Sequence, residues 1–275
     1  MSSALRVARL AGLALLVYAL LRVPADAATQ PGALTMLQFN MCGSACGTRF
    51  AVVDDLESAI TGQARPPFVV TLDEVCRGQY NRLVADLPYH GHFQPTVPHW
   101  CWDGSDYGIA VLVRSSDVGY AGSAPLPAPA GGEPRTMTCV RTTVRAEPLV
   151  ACAAHLDTDP ANTPSQVAAV AEHADAFRVG AAVVVGGDFN TTPRRPALDR
   201  MEAGFVEADA ADDAFTGGCS RDRCGDAPGY AHPTRKIDYL FLSRGDFTGI
   251  SAAVTSAPHS DHRPLWATAT LARTR

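Results

Sequence analysis

Apolar and polar residues alternate over 34–40, as in a strand with one buried face, and the run ends at Asn40. Residues 50–60 switch to helical spacing, with Val53, Leu56 and Ile60 on one face and a stop at Thr61-Gly62. A buried strand is predicted over 68–75 and a helix over 77–87. Residues 88–106 show no period and read as irregular, and 109–114 is an apolar strand. A Pro/Gly/Ala loop is expected over 125–134. Two strand-like runs follow, 135–144 and 149–155, joined by a tight turn near Arg145-Ala146. Thr163-Pro164-Ser165-Gln166 reads as a helix start with Thr163 as N-cap, and that helix should run to Val179 and end at Gly180. Residues 181–185 are apolar on both faces, as a central strand should be. A long surface loop over 209–235 and strands over 237–242, 249–255 and 264–271 complete the chain.

Many strands with few helices point to two packed sheets with helices outside. A chain of 275 residues with 47% hydrophobic content is ample for one core. The N-terminus reads as a processing segment. Arg6 and Arg9 precede an apolar run over 10–21, about the length of a signal-peptide core and short for a membrane span. Ala25-Asp26-Ala27 fits small-x-small cleavage. The prediction is a signal peptide over 1–27, a linker over 28–33 and one domain over 34–275 in a secreted protein; an uncleaved signal anchor is the alternative.

Net charge is −5, which argues against a broad basic nucleic-acid surface but not against a local cationic groove. Lys236 is the only lysine. Eight cysteines in an exported chain read as disulfides. Spacing suggests Cys42 with Cys46, Cys219 with Cys224, and Cys139 with Cys152 across the hairpin, leaving Cys76 with Cys101. Zinc is the rival, but no pair has CxxC spacing.

Polar residues cluster where the strand-like runs end. Asp188 and Asn190 follow the apolar run and Gly187, where a carboxylate and an amide can hold a metal, water or phosphate; an Asx turn is the structural alternative. Asp238 opens an apolar strand and, if buried, needs a partner, for which His262 is the candidate. Glu74 and Asp261 are the best oxygen donors for a hard divalent cation, with Asn40 beside or behind them. His155 closes its strand and can contact phosphate or protonate a leaving group; a satisfied core histidine is the alternative. Arg135 reads as a surface arginine, a phosphate contact being the lesser reading.

Asn40, Glu74, His155-Leu156, Gly187-Asp188-Phe189-Asn190, Ile237-Asp238-Tyr239 and Ser260-Asp261-His262 occur in this order. In that, the chain resembles the endonuclease/exonuclease/phosphatase superfamily, which includes DNase I, apurinic endonucleases, bacterial sphingomyelinases and inositol polyphosphate phosphatases. The resemblance spans residues 34–271. It implies a four-layer α/β sandwich, two packed mixed sheets flanked by helices, with the site at one rim. It also implies that Glu74, Asn40 and Asp261 hold Mg²⁺, with Mn²⁺ or Ca²⁺ as substitutes. Asp188 and Asn190 would position water and phosphate. Asp238 and His262 would form a general base, and His155 would meet the phosphate or the departing oxygen. His155-Leu156 looks more like DNase I, sphingomyelinases and phosphatases than apurinic endonucleases. In DNase I-like proteins a Glu partners this histidine; here Asp106 stands in the matching neighbourhood.

The expected function is a secreted Mg²⁺-dependent phosphoesterase using direct water attack, a phosphodiesterase acting on DNA as an endonuclease. Tyr89, Trp100 and Trp102 are candidate base-stacking surfaces. A sphingomyelinase-like phospholipid phosphodiesterase ranks second and a sugar- or inositol-phosphate phosphatase third. A non-catalytic binding protein on the same fold is the rival of another class. A monomer without a stable protein partner is expected.

Overall fold

The computed structural model describes residues 32–193, 195–209, 216 and 235–272. The elements run β1 Ala33–Asn40, α1 Ala51–Thr61, β2 Val69–Cys76, α2 Arg77–Asp86, β3 His90–Val97, β4 Tyr107–Val113, β5 Val118–Pro125, β6 Thr136–Val144, β7 Glu147–His155, α3 Thr163–Arg178, β8 Ala182–Asp188, α4 Asp199–Gly204, β9 Phe205–Glu207, β10 Asp238–Ser243, β11 Phe247–Val254 and β12 Leu265–Leu271. Two six-stranded sheets form, ordered β11-β12-β1-β2-β4-β3 and β5-β6-β7-β8-β10-β9. Both are mixed: β1 pairs parallel with β2 and antiparallel with β12, while β8 pairs parallel with β7 and antiparallel with β10.

The inner sheet faces meet through one core. Met36, Val69 and Val111 from the first sheet pack with Val140, Ala151, Val184 and Leu240 from the second. The outer face of the first sheet is covered by Val52, Val53, Leu56 and Ile60 of α1 and Leu83 of α2. The outer face of the second is covered by Val167, Val170, Ala171 and Ala174 of α3, spaced i, i+3, i+4, i+7. The result is the four-layer α/β sandwich that the resemblance implies.

Parallel and antiparallel registers fix which residues share a rim. Asn40 lies opposite Asp73 across β1 and β2, and Asp188 opposite Asp238 across β8 and β10. A bulge interrupts the β2–β4 pairing between Leu72 and Val75, and Glu74 sits in it with φ +53°. A bulge re-aims a side chain that regular pleating would send elsewhere. The hairpin sets Cys139 opposite Cys152, and three of the expected disulfides form: Cys42–Cys46, Cys76–Cys101 and Cys139–Cys152. The Cys219–Cys224 pairing and most of the 209–235 loop lie outside the described residues.

Two strands depart from the sequence reading. β3 falls in the segment read as irregular, and β5 lies between segments read as strand and loop. Both are edge strands, only partly buried, so neither carries the apolar alternation of a central strand. The short α4 and β9 were also unread. At the start of α3 the N-cap is Asn162 rather than Thr163. Gln166 there does not cap the helix: it accepts from the Asp157 N–H at 2.7 Å and donates to the Pro127 carbonyl at 2.6 Å.

Candidate active site

Four central strands end at one rim. β1, β2, β7 and β8 deliver Asn40, Glu74, His155 and Asp188 there, and antiparallel β10 begins there with Asp238. The turn before β12 brings in Asp261 and His262. It is stapled down by buried Ser260, whose Oγ donates to the Asn40 carbonyl at 2.8 Å and accepts from the His262 N–H at 3.0 Å. A pocket of about 440 Å³ opens here, with Glu74, His155, Asp188, Asn190, Asp261 and His262 in its wall. A larger cavity of about 520 Å³ lies at the opposite rim beside Ala33 and Arg114 and contains none of these groups.

Asp238 and His262 form a buried dyad. Nδ1 of His262 lies 2.7 Å from Oδ2 of Asp238, and its Nε2 lies 3.7 Å from Oδ2 of Asp188. Burial alone would lower the His262 pKa. The charge and hydrogen bond of Asp238, then Asp188 and Asp261, outweigh burial and hold it well above the ordinary histidine value. Gln38 donates to Asp238 at 3.4 Å, and the Asp238 N–H donates to Thr216 Oγ1 at 3.0 Å. Asp188, Asp238 and His262 stand close enough together to share an ion, but the Nδ1 contact already joins two of them.

Asn40 organises the carboxylates. Its Nδ2 donates to Glu74 Oε1 at 2.9 Å and Asp188 Oδ2 at 3.2 Å, while its Oδ1 accepts from the Cys42 N–H at 2.9 Å. Burial raises the Glu74 pKa, Asn40 and His262 oppose that, and Asp261 adds to it. Burial, and then the Asp238 carboxylate, push Asp188 up to about 7. Asn190 has φ +48° and makes the Asx turn that the sequence also allowed. Its N–H donates to Asp188 Oδ1 at 2.8 Å and its Nδ2 to the Leu156 carbonyl at 3.0 Å.

His155 is not partnered by Asp106, which pairs with Arg77 at 3.5 Å. Its partner is Arg135, which is 8% exposed and so not the surface arginine expected. Arg135 Nη1 lies 2.9 Å from Nδ1 of His155 and 3.2 Å from Nε2. A guanidinium only donates, so the contact favours a neutral imidazole that accepts at one ring nitrogen. Burial and the Arg135 charge likewise hold its pKa well below the ordinary value. The 3.9 Å approaches of Nε2 to Glu74 and Asp188 are therefore not ion pairs.

The structure brings every expected site residue to this rim. It adds some the sequence reading did not assign. Arg135 was detectable: with Cys139 opposite Cys152, the hairpin sets Thr136 opposite His155, and Arg135 falls beside it. Asp73 is buried behind the site, accepting from the Asp188 N–H at 2.6 Å and from Gln38 Nε2 at 2.7 Å. Nothing in the sequence marks its role beyond the strand end. Tyr89 is buried with its hydroxyl on the Pro67 carbonyl and offers no stacking surface. Trp100 is half exposed at the pocket. Trp102 packs edge-on against Phe50.

Solved structures share the fold. D. rerio TDP2 in complex with a single-stranded DNA product superposes with a TM-score of 0.66 at 18% identity, covering 86% of this chain and 99% of that one. The human Nocturnin catalytic domain with bound sulfate gives 0.64 at 16% identity, covering 88% and 94%. An endonuclease/exonuclease/phosphatase protein from Bacteroides vulgatus gives 0.62 at 18% identity, covering 88% and 100%. No curated protein sequence matches the chain. The family model described as "Endonuclease/Exonuclease/phosphatase family" matches residues 37–262. The chain therefore belongs to the endonuclease/exonuclease/phosphatase family, whose members are metal-dependent phosphoester hydrolases.

Proposed function

We propose that this chain is an exported, Mg²⁺-dependent phosphodiesterase that acts on DNA as an endonuclease, by in-line attack of water without a covalent enzyme intermediate. The observation that carries the chemistry is the 2.7 Å Asp238–His262 dyad, whose Nε2 faces Asp188 on the same rim as Glu74 and Asp261. In this reading residues 34–275 are the catalytic domain, after a signal peptide over 1–27 and a linker over 28–33. Three disulfides fit an extracellular setting, and among the described residues no helix is long and apolar enough to cross a membrane.

The donor set suits a hard cation. Glu74 and Asp261 offer carboxylate oxygens, and the nearby Cys42 and Cys46 are tied in a disulfide and supply no thiolate. Glu74 and Asp261 would hold Mg²⁺, with Asn40 fixing Glu74 through its amide. When bound, the cation neutralises charge that develops on the phosphoryl oxygens. In its neutral form His262 takes the proton of the attacking water at Nε2, and Asp238 holds the ring and stabilises the imidazolium that results. Asp188 and Asn190 position that water and the phosphate. His155, neutral and held by Arg135, hydrogen-bonds a phosphate oxygen; its pairing with a cation favours this role over protonation of the leaving group.

DNA is favoured because the D. rerio TDP2 that shares the fold was solved with a DNA product, and because Trp100 and two arginines, Arg135 and Arg235, stand at the pocket. The test is a substrate panel with Mg²⁺: plasmid DNA, sphingomyelin vesicles and an inositol polyphosphate. DNA should give the highest kcat/KM. A higher value for either of the others overturns the DNA assignment.

A further inference from the structure

We infer that Trp100 is a fixed stacking platform for a nucleobase next to the scissile phosphate, and so makes the site selective for base-bearing phosphodiesters. This rests on the nuclease reading and deepens it. Trp100 is 51% exposed, a large apolar surface left to solvent in the wall of the pocket that also contains Glu74 and His155. Its ring packs against Tyr107 with centroids 5.3 Å apart, which leaves the rest of the indole open.

The loop that carries Trp100 is tied down at several points. The neighbouring Cys101 is bonded to Cys76 at the end of β2. Ser44, in the turn closed by Cys42–Cys46, donates to the Trp100 carbonyl at 3.1 Å. The His99 N–H donates to Asp106 Oδ1 at 3.3 Å, and the Cys101 N–H to the Ser105 carbonyl at 3.1 Å. A backbone held this way lowers the cost of ordering the ring against a planar partner. Nearby, Arg49 lies 5.4 Å over the Trp102 ring.

A lipid surface is the competing partner for an exposed tryptophan. Two features disfavour it. Trp100 belongs to the pocket wall rather than to a protruding apolar tip, and its loop carries Asp103, Ser105 and Asp106, which a membrane interface would have to desolvate.

The test compares a single-stranded oligonucleotide with a fully abasic oligomer of equal length, for wild type, Trp100→Ala and Trp100→Phe. Base stacking corresponds to about 5- to 150-fold in binding. Trp100→Ala should lower the base-bearing to abasic kcat/KM ratio by that range, mostly through KM, and Trp100→Phe should keep most of the ratio. A ratio unchanged in Trp100→Ala overturns the inference and leaves the nuclease reading intact. If wild type cleaves neither the oligomers nor plasmid DNA, the nuclease reading falls; if it cleaves neither oligomer, tryptophan fluorescence titrated with the base-bearing oligomer in EDTA decides the inference. Quenching that Trp100→Ala removes upholds the platform; its absence in wild type overturns it. Trp100-dependent sedimentation with sphingomyelin–phosphatidylcholine vesicles, without quenching by the oligomer, overturns it in favour of a membrane surface.

Discussion

Arg135 donates from Nη1 to Nδ1 of His155 at 2.9 Å, joining two buried side chains from neighbouring positions on the β6–β7 hairpin. Arg135 also meets Glu133 at 3.2 Å, while its Nε has no hydrogen-bond partner among the described residues. The pair orients a neutral imidazole at the pocket and adds a fixed positive charge to its wall.

Loss of that pair should show in turnover. A hydrogen bond to a charged group contributes about 1.5–3 kcal/mol. Arg135→Ala is expected to lower kcat/KM on DNA by about 10- to 150-fold, the equivalent of that energy. Arg135→Lys should recover only part of it, because an ammonium cannot reproduce the planar fork. Steady-state kinetics checks this, and wild-type kcat/KM in Arg135→Ala contradicts it.

Metal binding should depend on Glu74 and Asp261 and should be visible without any substrate. A cation that binds only the folded state raises the melting temperature, by the equivalent of about 2.7 kcal/mol at a hundred times its Kd. Thermal unfolding with and without Mg²⁺ should show a rise in wild type that Glu74→Gln and Asp261→Asn lose. Without metal, Glu74→Gln should be no less stable than wild type, because the carboxylate it replaces has its pKa raised by burial. An undiminished Mg²⁺ shift in both variants rejects these ligands.

The central strand tolerates no side chain at Gly187. A Cβ there would stand 1.9 Å from the Ala154 carbonyl oxygen, a backbone atom that cannot swing away. Overpacking of this kind costs about 1–3 kcal/mol. Gly187→Ala should lower the denaturation midpoint accordingly and displace Asp188, the next residue. An unchanged midpoint in urea contradicts the close approach.

Central strands were legible because burial on both faces leaves continuous apolar runs, as at β8, and the runs of β1, β7 and β8 ended on Asn40, His155 and Asp188 of the site. β3 and β5 were not, because an edge strand pays for its place mainly through backbone pairing, and residues such as Gly91, Gly119 and Pro95 show no pattern. At the site, Asp238 and His262 could be matched in advance because a buried carboxylate needs a partner. Arg135 and Asp106 were misassigned because which group meets His155 depends on hairpin register and on the Asp106 side chain turning to Arg77. Glu74 reached the pocket through a bulge that local composition does not announce.

The central claim is that the Asp238–His262 dyad activates water at a cation-dependent phosphodiesterase site. Nicking of supercoiled plasmid by purified protein, with Mg²⁺ or EDTA and with His262→Ala alongside, tests it most directly. Removing a general base typically costs about 10²–10⁴-fold. The expected result is nicking that requires Mg²⁺ and falls by that factor in a His262→Ala protein whose circular dichroism matches wild type. Nicking by folded His262→Ala at the wild-type rate, or nicking that persists in EDTA, contradicts the claim.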